Sequence, residues 1–230
     1  MELNTYPLVC TRGVVLYPNQ EIVIDVGRDT SVHAVENAQD NYDKKICLFS
    51  QKELEQENPG KEDIYSVGTL CEVRHIRRFD NFLRVKFRGI KRVKLNNWIN
   101  GSLSDLAEVE ILESEKQDAV EEEALIRMIA DELDRMQGQD RFVTKEIVME
   151  ISKGMGGEFL SDKAVQGLPL DIERKQQYLE TLGVNDRLMM LLQDMAKEKK
   201  MSEVEQQINE TVKERIDQGQ KDYYLREKMN

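Results

Sequence analysis

The chain has 230 residues, enough for one large domain or two modest domains with proper cores. Asp and Glu number 44 against 33 Lys and Arg, so the net charge is -11 and the overall electrostatic field repels nucleic acid and anionic membranes. No run approaches the roughly 18 apolar residues of a membrane-spanning helix, and residues 1–11 lack the pattern of a secretory signal peptide.

The cysteines indicate the compartment. Cys10, Cys47 and Cys71 lie among apolar neighbours without paired spacing, which predicts buried free thiols in a reducing environment. His33 and His75 are the only histidines and are far apart in sequence, so we expect no metal site.

The first half of the chain has the residue pattern of short strands. Strands are predicted at residues 8–10, 14–17, 21–26, 45–50, 67–73, 82–88 and 106–112. Turn residues at 27–31 precede a predicted helix, Asp80-Asn81 predicts a hairpin turn, and Gly89 predicts a bend or bulge. Short strands that wrap and return predict a small, partly open barrel with a helix at its edge, over residues 1–115.

From Lys116 the apolar period changes to that of amphipathic helices. Helices are predicted at residues 116–136, 143–153, 158–165 and 171–182, and from residue 185 or 186 onward. Because each has an apolar stripe, we expect the five to pack as a bundle over residues 116–200. The predicted fold class is therefore α+β: a barrel, then a helical bundle, then one long C-terminal helix.

Residues 202–230 predict one uninterrupted helix of about 40 Å. Its apolar residues form a narrow stripe: Met201, Val204, Ile208, Val212 and Ile216. The spacing fits an eleven-residue repeat better than the seven-residue repeat of a left-handed coiled coil, which favours a nearly straight helix pair. We predict that this stripe faces a neighbouring subunit. For Met201 and Val204 the alternative is that they pack on the chain's own helical bundle. No helix stop signal follows, so we expect the polypeptide to continue beyond Asn230.

A basic cluster spans residues 74–94. It contains nine Lys or Arg against one acid, with Phe79 and Phe82 among them. Alternation in this stretch directs Arg84, Lys86 and Arg88 outward. One interpretation is a nucleic-acid surface that binds the backbone and stacks bases. The other is a solvated sheet face whose charge is balanced by acidic residues.

The chain lacks the sequence signals of catalysis. Gly60-Lys61 is not followed by Ser or Thr and lacks the upstream glycine of a phosphate-binding loop. No Gly-x-Ser-x-Gly motif occurs, and two histidines leave little for a His-based triad. A self-contained enzyme would need a pocket of convergent polar groups, which the sequence does not locate.

Several segments resemble the N-terminal region of Lon, the ATP-dependent protease. In the barrel they are Tyr6-Pro7-Leu8, Arg12-Gly13-Val14-Val15-Leu16-Tyr17-Pro18, Val26-Gly27-Arg28, Val67-Gly68-Thr69 and Gly89-Ile90-Lys91-Arg92. In the helices they are Leu168-Pro169-Leu170, Val184-Asn185-Asp186-Arg187-Leu188 and Lys221-Asp222-Tyr223-Tyr224-Leu225-Arg226-Glu227-Lys228-Met229. The chain departs from the family pattern at Cys10-Thr11, Asn19, Val23 and Asp80-Asn81, which affects local turn geometry.

The resemblance implies a PUA-like barrel in the substrate-engaging and assembly region of an ATP-dependent serine protease. The Walker motifs and the Ser-Lys dyad of such an enzyme would lie beyond Asn230, so we expect these residues to bind neither ATP nor Mg²⁺ and to cut no peptide bond. The parent enzyme would be a cytoplasmic homohexamer that acts in protein quality control. Candidate contacts for unfolded or degron-bearing proteins are Tyr17, Pro18, Phe79, Phe82 and Met155. For each of them, burial in the core is the alternative.

Overall fold

The structure is a computed structural model that describes the backbone of residues 4–136 and 145–228 and the side chains of residues 4–135 and 146–221. The strands are β1 (Asn4–Thr11), β2 (Glu21–Val26), β3 (Lys45–Ser50), β4 (Val67–Arg78), β5 (Leu83–Ile99) and β6 (Leu106–Leu112). The helices are α1 (Asp29–Asn41), α2 (Ala119–Met136), α3 (Lys145–Ser152), α4 (Gly157–Gly167), α5 (Ile172–Glu180) and α6 (Val184–Lys228), with a short 3₁₀ turn at Lys61–Asp63.

The six strands form one sheet in the order β2-β5-β4-β3-β1-β6, which closes because β5 also pairs with β6. The 17 residues of β5 make this possible. Residues 83–88 of β5 pair with β2, and residues 92–99 pair with β6. The predicted α+β class and the partly open barrel are confirmed, with β2 left as an edge strand.

One predicted strand is absent. Residues 14–17 form no strand, because side-chain hydroxyls satisfy the carbonyl groups that strand pairing would otherwise use. The carbonyl of Val14 accepts from Thr11 Oγ1 at 2.9 Å and from Ser50 Oγ at 2.6 Å, and the carbonyl of Leu16 accepts from Thr69 Oγ1. The segment crosses the barrel instead of joining its sheet.

Gly89 marks the predicted irregularity. The β4–β5 register shifts at this point, with Leu70 opposite Lys91 and Cys71 opposite Gly89. The Gly89 N–H donates to the carbonyl of Gln20 at 2.9 Å, and a Cβ at residue 89 would overlap the carbonyl oxygen of Tyr17. Glycine is required here because another segment of backbone lies against it.

Buried polar contacts join the barrel to the helices. Arg92 of β5 donates to both carboxylate oxygens of Asp162 of α4 at 2.9 and 2.6 Å, and its Nε donates to the carbonyl of Leu179 at 3.0 Å. Gln176 of α5 donates to the carbonyl of Val67 at 2.8 Å. These hydrogen bonds satisfy charged and backbone groups whose burial without a partner would cost free energy.

The predicted boundaries near residues 115 and 200 stay predictions. The contacts group residues up to Met190 into one compact unit and residues from Leu191 into another, so the barrel and helices α2–α5 share a unit. The predicted fifth helix and the predicted long helix are one continuous 45-residue helix, α6. The predicted helix start at Val143 lies outside the described residues.

Candidate functional site

The turn between β4 and β5 carries two stacked aromatic rings. The Phe79 N–H donates to the carbonyl of Phe82 at 2.9 Å, which closes the predicted hairpin. The ring centroids lie 4.7 Å apart at 11°, and both side chains are half-buried. The guanidinium carbons of Arg77 and Arg84 lie 5.0 and 5.3 Å from the Phe79 centroid. The turn is therefore an accessible apolar surface with cations over its ring faces.

The outward cations predicted to contact nucleic acid lie beside carboxylates of β2. Arg84 makes a two-point bond to Asp25 at 2.7 and 2.8 Å, and Lys86 pairs with Glu21 at 2.6 Å. These hydrogen bonds lower the pKa of both carboxyl groups. Arg88 is exposed and makes no ion pair with the residues that the structure describes. This face is a ladder of opposite charges rather than a bare cationic surface.

Other members of the basic cluster are paired as well. Arg74 lies 3.1 Å from Glu72, Lys91 lies 2.7 Å from Glu113, and Arg78 contacts Glu36. Arg92 is buried against Asp162, as described above. Six of the nine cations in the basic run therefore have a carboxylate partner. Whether this face binds nucleic acid stays a prediction.

The prediction of Tyr17 and Pro18 as substrate contacts needs correction. Tyr17 has no exposed surface, and Pro18 is buried as well. The hydroxyl of Tyr17 donates to the carbonyl of Lys175 at 2.7 Å, and burial raises its pKa well above the ordinary value. Neither residue is available to a polypeptide in solution.

Met155 lies in the connection between α3 and α4 and is half-buried. Gly154 precedes it with a φ of +90°, a conformation that favours glycine, and Gly156 is the N-cap residue of α4. Two apolar side chains close in sequence, Met149 and Phe159, are exposed, and sequence periodicity assigned neither to a surface. Met155 thus lies in a segment with further apolar surface.

The stripe of α6 is exposed along its length. The exposed fractions are 50% for Met201, 42% for Val204, 56% for Ile208, 47% for Val212 and 53% for Ile216. Regular exposure of β-branched apolar residues on one face leaves an apolar surface in water. Contact with a neighbouring subunit remains a prediction.

The sequence analysis missed two features of the surface. Leu103, in the turn before β6, is 68% exposed. Arg12 and Arg28, which are among the residues that carry the family resemblance, both donate to the carbonyl of Gln56 at 3.3 Å. Their convergence depends on the closure of the barrel, so no local pattern predicts it.

None of the helices that the structure describes is long and apolar enough to cross a membrane. Within the same residues, no group of three or more His, Cys, Asp or Glu is placed to hold a metal ion.

Comparison with known proteins gives the family. Residues 5–197 match the model of the ATP-dependent protease La (LON) substrate-binding domain. Lon protease of Brevibacillus choshinensis is 33% identical over 224 residues, which cover 97% of this chain and 29% of that protein. Lon protease 1 of Bacillus subtilis is 30% identical over 227 residues, which cover 98% of this chain and 29% of that protein. The chain thus spans less than a third of the length of these relatives.

Solved structures show the same fold. The N-terminal domain of a Mycobacterium avium complex Lon protease superposes with a TM-score of 0.68 at 19% identity, covering 84% of this chain and 98% of that chain. A Lon N-terminal domain protein from Xanthomonas campestris gives a TM-score of 0.58 at 16% identity, covering 82% of this chain and 97% of that chain. With the family match over most of its length, the chain belongs to the family of LON substrate-binding domains.

Proposed function

We propose that this chain binds unfolded or degron-bearing proteins for an ATP-dependent serine protease that acts in cytoplasmic protein quality control. The family match supports a substrate-binding role. The observation that carries the choice of surface is the stacked Phe79–Phe82 pair, which stays half-exposed at the end of a hairpin. Met155, half-buried in its glycine-flanked connection, is a second candidate contact.

Unfolded polypeptides suit such a surface because they expose apolar segments without a fixed sequence. Aromatic and methionine side chains accept varied apolar partners, and separate small patches allow weak, adaptable binding. The guanidinium groups of Arg77 and Arg84 keep the Phe79–Phe82 surface hydrated and stop it from becoming a large apolar patch. Binding of this kind selects for lack of structure more than for sequence.

The remaining chemistry of the enzyme belongs, in this proposal, to the larger part of the relatives that this chain does not match. ATP and Mg²⁺ would bind there, and peptide bonds would be cut there. The relatives' names, Lon protease, support this division, since the chain covers 29% of their length. We further propose that the exposed stripe of α6 pairs with a neighbouring copy of this chain within a homohexameric parent.

The binding proposal is tested with one protein in two states. A fluorescently labelled α-lactalbumin is offered in its native form and in its reduced, alkylated form, and binding is followed by anisotropy. We expect the unfolded form to bind at least about tenfold tighter than the native form. Phe79→Asp and Phe82→Asp should each remove most of that preference, because a carboxylate at the hairpin end resists burial against an apolar segment.

Leu103→Asp is the matched control, since Leu103 is an exposed apolar residue at the opposite end of β5. It should leave the preference unchanged. Circular dichroism confirms that each variant keeps its fold. Equal weak binding of both forms, in the wild type and in all variants, would remove the receptor function.

The nucleic-acid alternative makes a different prediction. Binding through phosphates weakens steeply with salt and with charge reversal at Arg84, Lys86 and Arg88. Apolar capture responds little to either. Because Arg84 and Lys86 already pair with carboxylates, we place this alternative second.

A further inference from the structure

The barrel has an open side between β1 and β2. β2 pairs only with β5, and the pairing of β1 with β6 ends at Pro7. A cavity of about 340 Å³ lies here, walled by residues 9–11 of β1, by Arg12 after it, and by residues 24–28 and Ser31. This volume falls within the range of small-ligand sites. A smaller cavity of about 140 Å³ shares Cys10, Arg28 and Ser31 with it.

The larger cavity has an excess of positive charge. Arg12 and Arg28 meet at the carbonyl of Gln56. Arg28 also donates to the carbonyl of Cys10 at 3.3 Å and to Oε1 of Gln51 at 2.7 Å, and neither arginine forms an ion pair with a carboxylate of the described residues. Asp25 is the single acidic residue on the wall, and Arg84 holds it with two bonds. Burial, and after it the nearby Arg12, lowers the pKa of Arg28. An anion between the two guanidinium groups would relieve their repulsion.

The start of α1 adds donors to the same wall. Arg28 is the N-cap residue, no side chain caps the helix, and the first helical bond runs from Val32 N–H to the carbonyl of Arg28. The backbone N–H groups of residues 29–31 therefore have no partner within the helix. Ser31 is 7% exposed and lines both cavities, and its hydroxyl makes no hydrogen bond to a described residue. The Ser31 hydroxyl oxygen is not among the fully buried side-chain atoms without a partner, so it is reachable from the cavity.

We propose that the larger cavity is a carboxylate-binding subsite for an extended polypeptide, with Arg12, Arg28 and Ser31 as donors. The assignment rests on the substrate-binding function proposed above and names a chemical feature that it selects. A polypeptide fits better than a free anion, because the cavity opens beside the unpaired edge of β2. An exposed strand edge offers N–H and C=O groups to an extended chain. Val9 and Ile24 give the cavity apolar walls for a neighbouring side chain.

The test uses a short fluorescent peptide of alternating valine and serine. One form ends in a free carboxylate, the second ends in an amide, and the third ends in an amide but contains one internal glutamate. We expect the free acid to bind the full 230-residue chain about tenfold tighter than the plain amide, through charge-assisted hydrogen bonds. The third peptide shows whether an acidic side chain serves as well as the chain terminus.

Variants locate the site. Arg12→Gln and Ser31→Ala should abolish most of the difference between acid and amide. Arg127→Gln, at an exposed arginine of α2, is the matched control and should preserve it. Methyl resonances of Ile24 and Val26 should shift with the acid and not with the amide. Arg12 is exposed and Ser31→Ala removes one atom, so both variants should keep the fold, which thermal unfolding verifies.

Three results would overturn the proposal. The first is equal affinity of the chain for the acid and amide peptides. The second is an equal effect of Arg12→Gln and Arg127→Gln on the difference between those affinities. The third is that inorganic phosphate competes with the peptides while the chain shows no preference among them. None of them touches the roles of Phe79 and Phe82. Conversely, failure to prefer unfolded over folded protein would refute the receptor function, while the acid and amide peptides would still report on this cavity.

Discussion

At the residue scale, Arg92 links the two layers of the first unit. It is 1% exposed, and its partner Asp162 is 2% exposed. Arg187 adds a second cation, with its Nε 3.9 Å from the same carboxylate. Burial lowers the pKa of Arg187 to about 10, and Arg92 adds to this effect. Asp162 is therefore the counter-charge for two buried guanidinium groups.

Replacement of Asp162 by Asn should destabilise the fold strongly. It leaves Arg92 without its buried counter-charge, and we expect a loss of about 3–5 kcal/mol in the free energy of unfolding, measured in urea. Asp25→Asn removes the partner of Arg84 at the surface and should cost far less, because water and salt screen that pair. Similar losses in the two variants would contradict the structural role of Arg92.

Cys10 should react slowly as a thiol. Burial raises its pKa from 9.0 to about 12, so folding holds the thiol neutral while the unfolded chain ionises above its ordinary pKa. Between these two pKa values the unfolded state binds fewer protons than the native state, and the free energy of unfolding falls as pH rises.

Iodoacetamide labelling of the native chain should accelerate about tenfold per pH unit from pH 8 to 10. In the chain unfolded by urea, the labelling rate should level off near pH 9. The same plateau in the native chain would contradict the raised pKa of Cys10.

At the element scale, two glycines have opposite requirements. Gly89 lies in β5 under the crossing segment, where a Cβ would overlap the carbonyl oxygen of Tyr17. Gly219 lies in α6, and apart from its chain neighbours and the helix backbone around it, no atom of another described residue lies within 4 Å of the position of its Cβ. The same substitution therefore tests backbone contact in one element and helix propensity in the other.

Gly89→Ala should cost about 1–3 kcal/mol or more of global stability, because the backbone of the crossing segment has to move. Gly219→Ala should instead raise the helix content seen by far-UV circular dichroism, since alanine favours a helix by about 0.5–1 kcal/mol over glycine. Urea unfolding followed by the fluorescence of Trp98 in β5 measures the first effect. A stable, unshifted Gly89→Ala variant would show that the two segments are not in contact.

At the scale of the whole molecule, the apolar stripe of α6 bears on assembly. We expect the chain to self-associate through this stripe. Ile208→Asp should weaken association by about tenfold or more, because it removes buried apolar area and adds a charge. Gln206→Asp adds the same charge on another face of the helix and should have little effect. Sedimentation equilibrium measures both, and equal behaviour of the two variants would argue against the stripe as the interface.

The sequence predicted the elements well because their signals are local. Alternation placed Leu83, Val85 and Phe87 inward, and all three are buried. The bend at Gly89, the hairpin before Phe82 and the fold class are confirmed, since strand period, turn residues and helix period act over a few neighbours. The segments that resemble Lon predicted the family, because they are spread in order along nearly the whole chain.

Only the tertiary structure decided which surfaces are covered. Tyr17 and Pro18 end an apolar run in the sequence, yet both are buried. Arg92 belongs to a run of cations in the sequence, yet its partner is 70 residues away. Arg12, Arg28 and Ser31 meet only because the barrel brings β1 beside the start of α1. Periodicity tells which side of an element a residue occupies, whereas the neighbour on that side depends on chain closure over long distances.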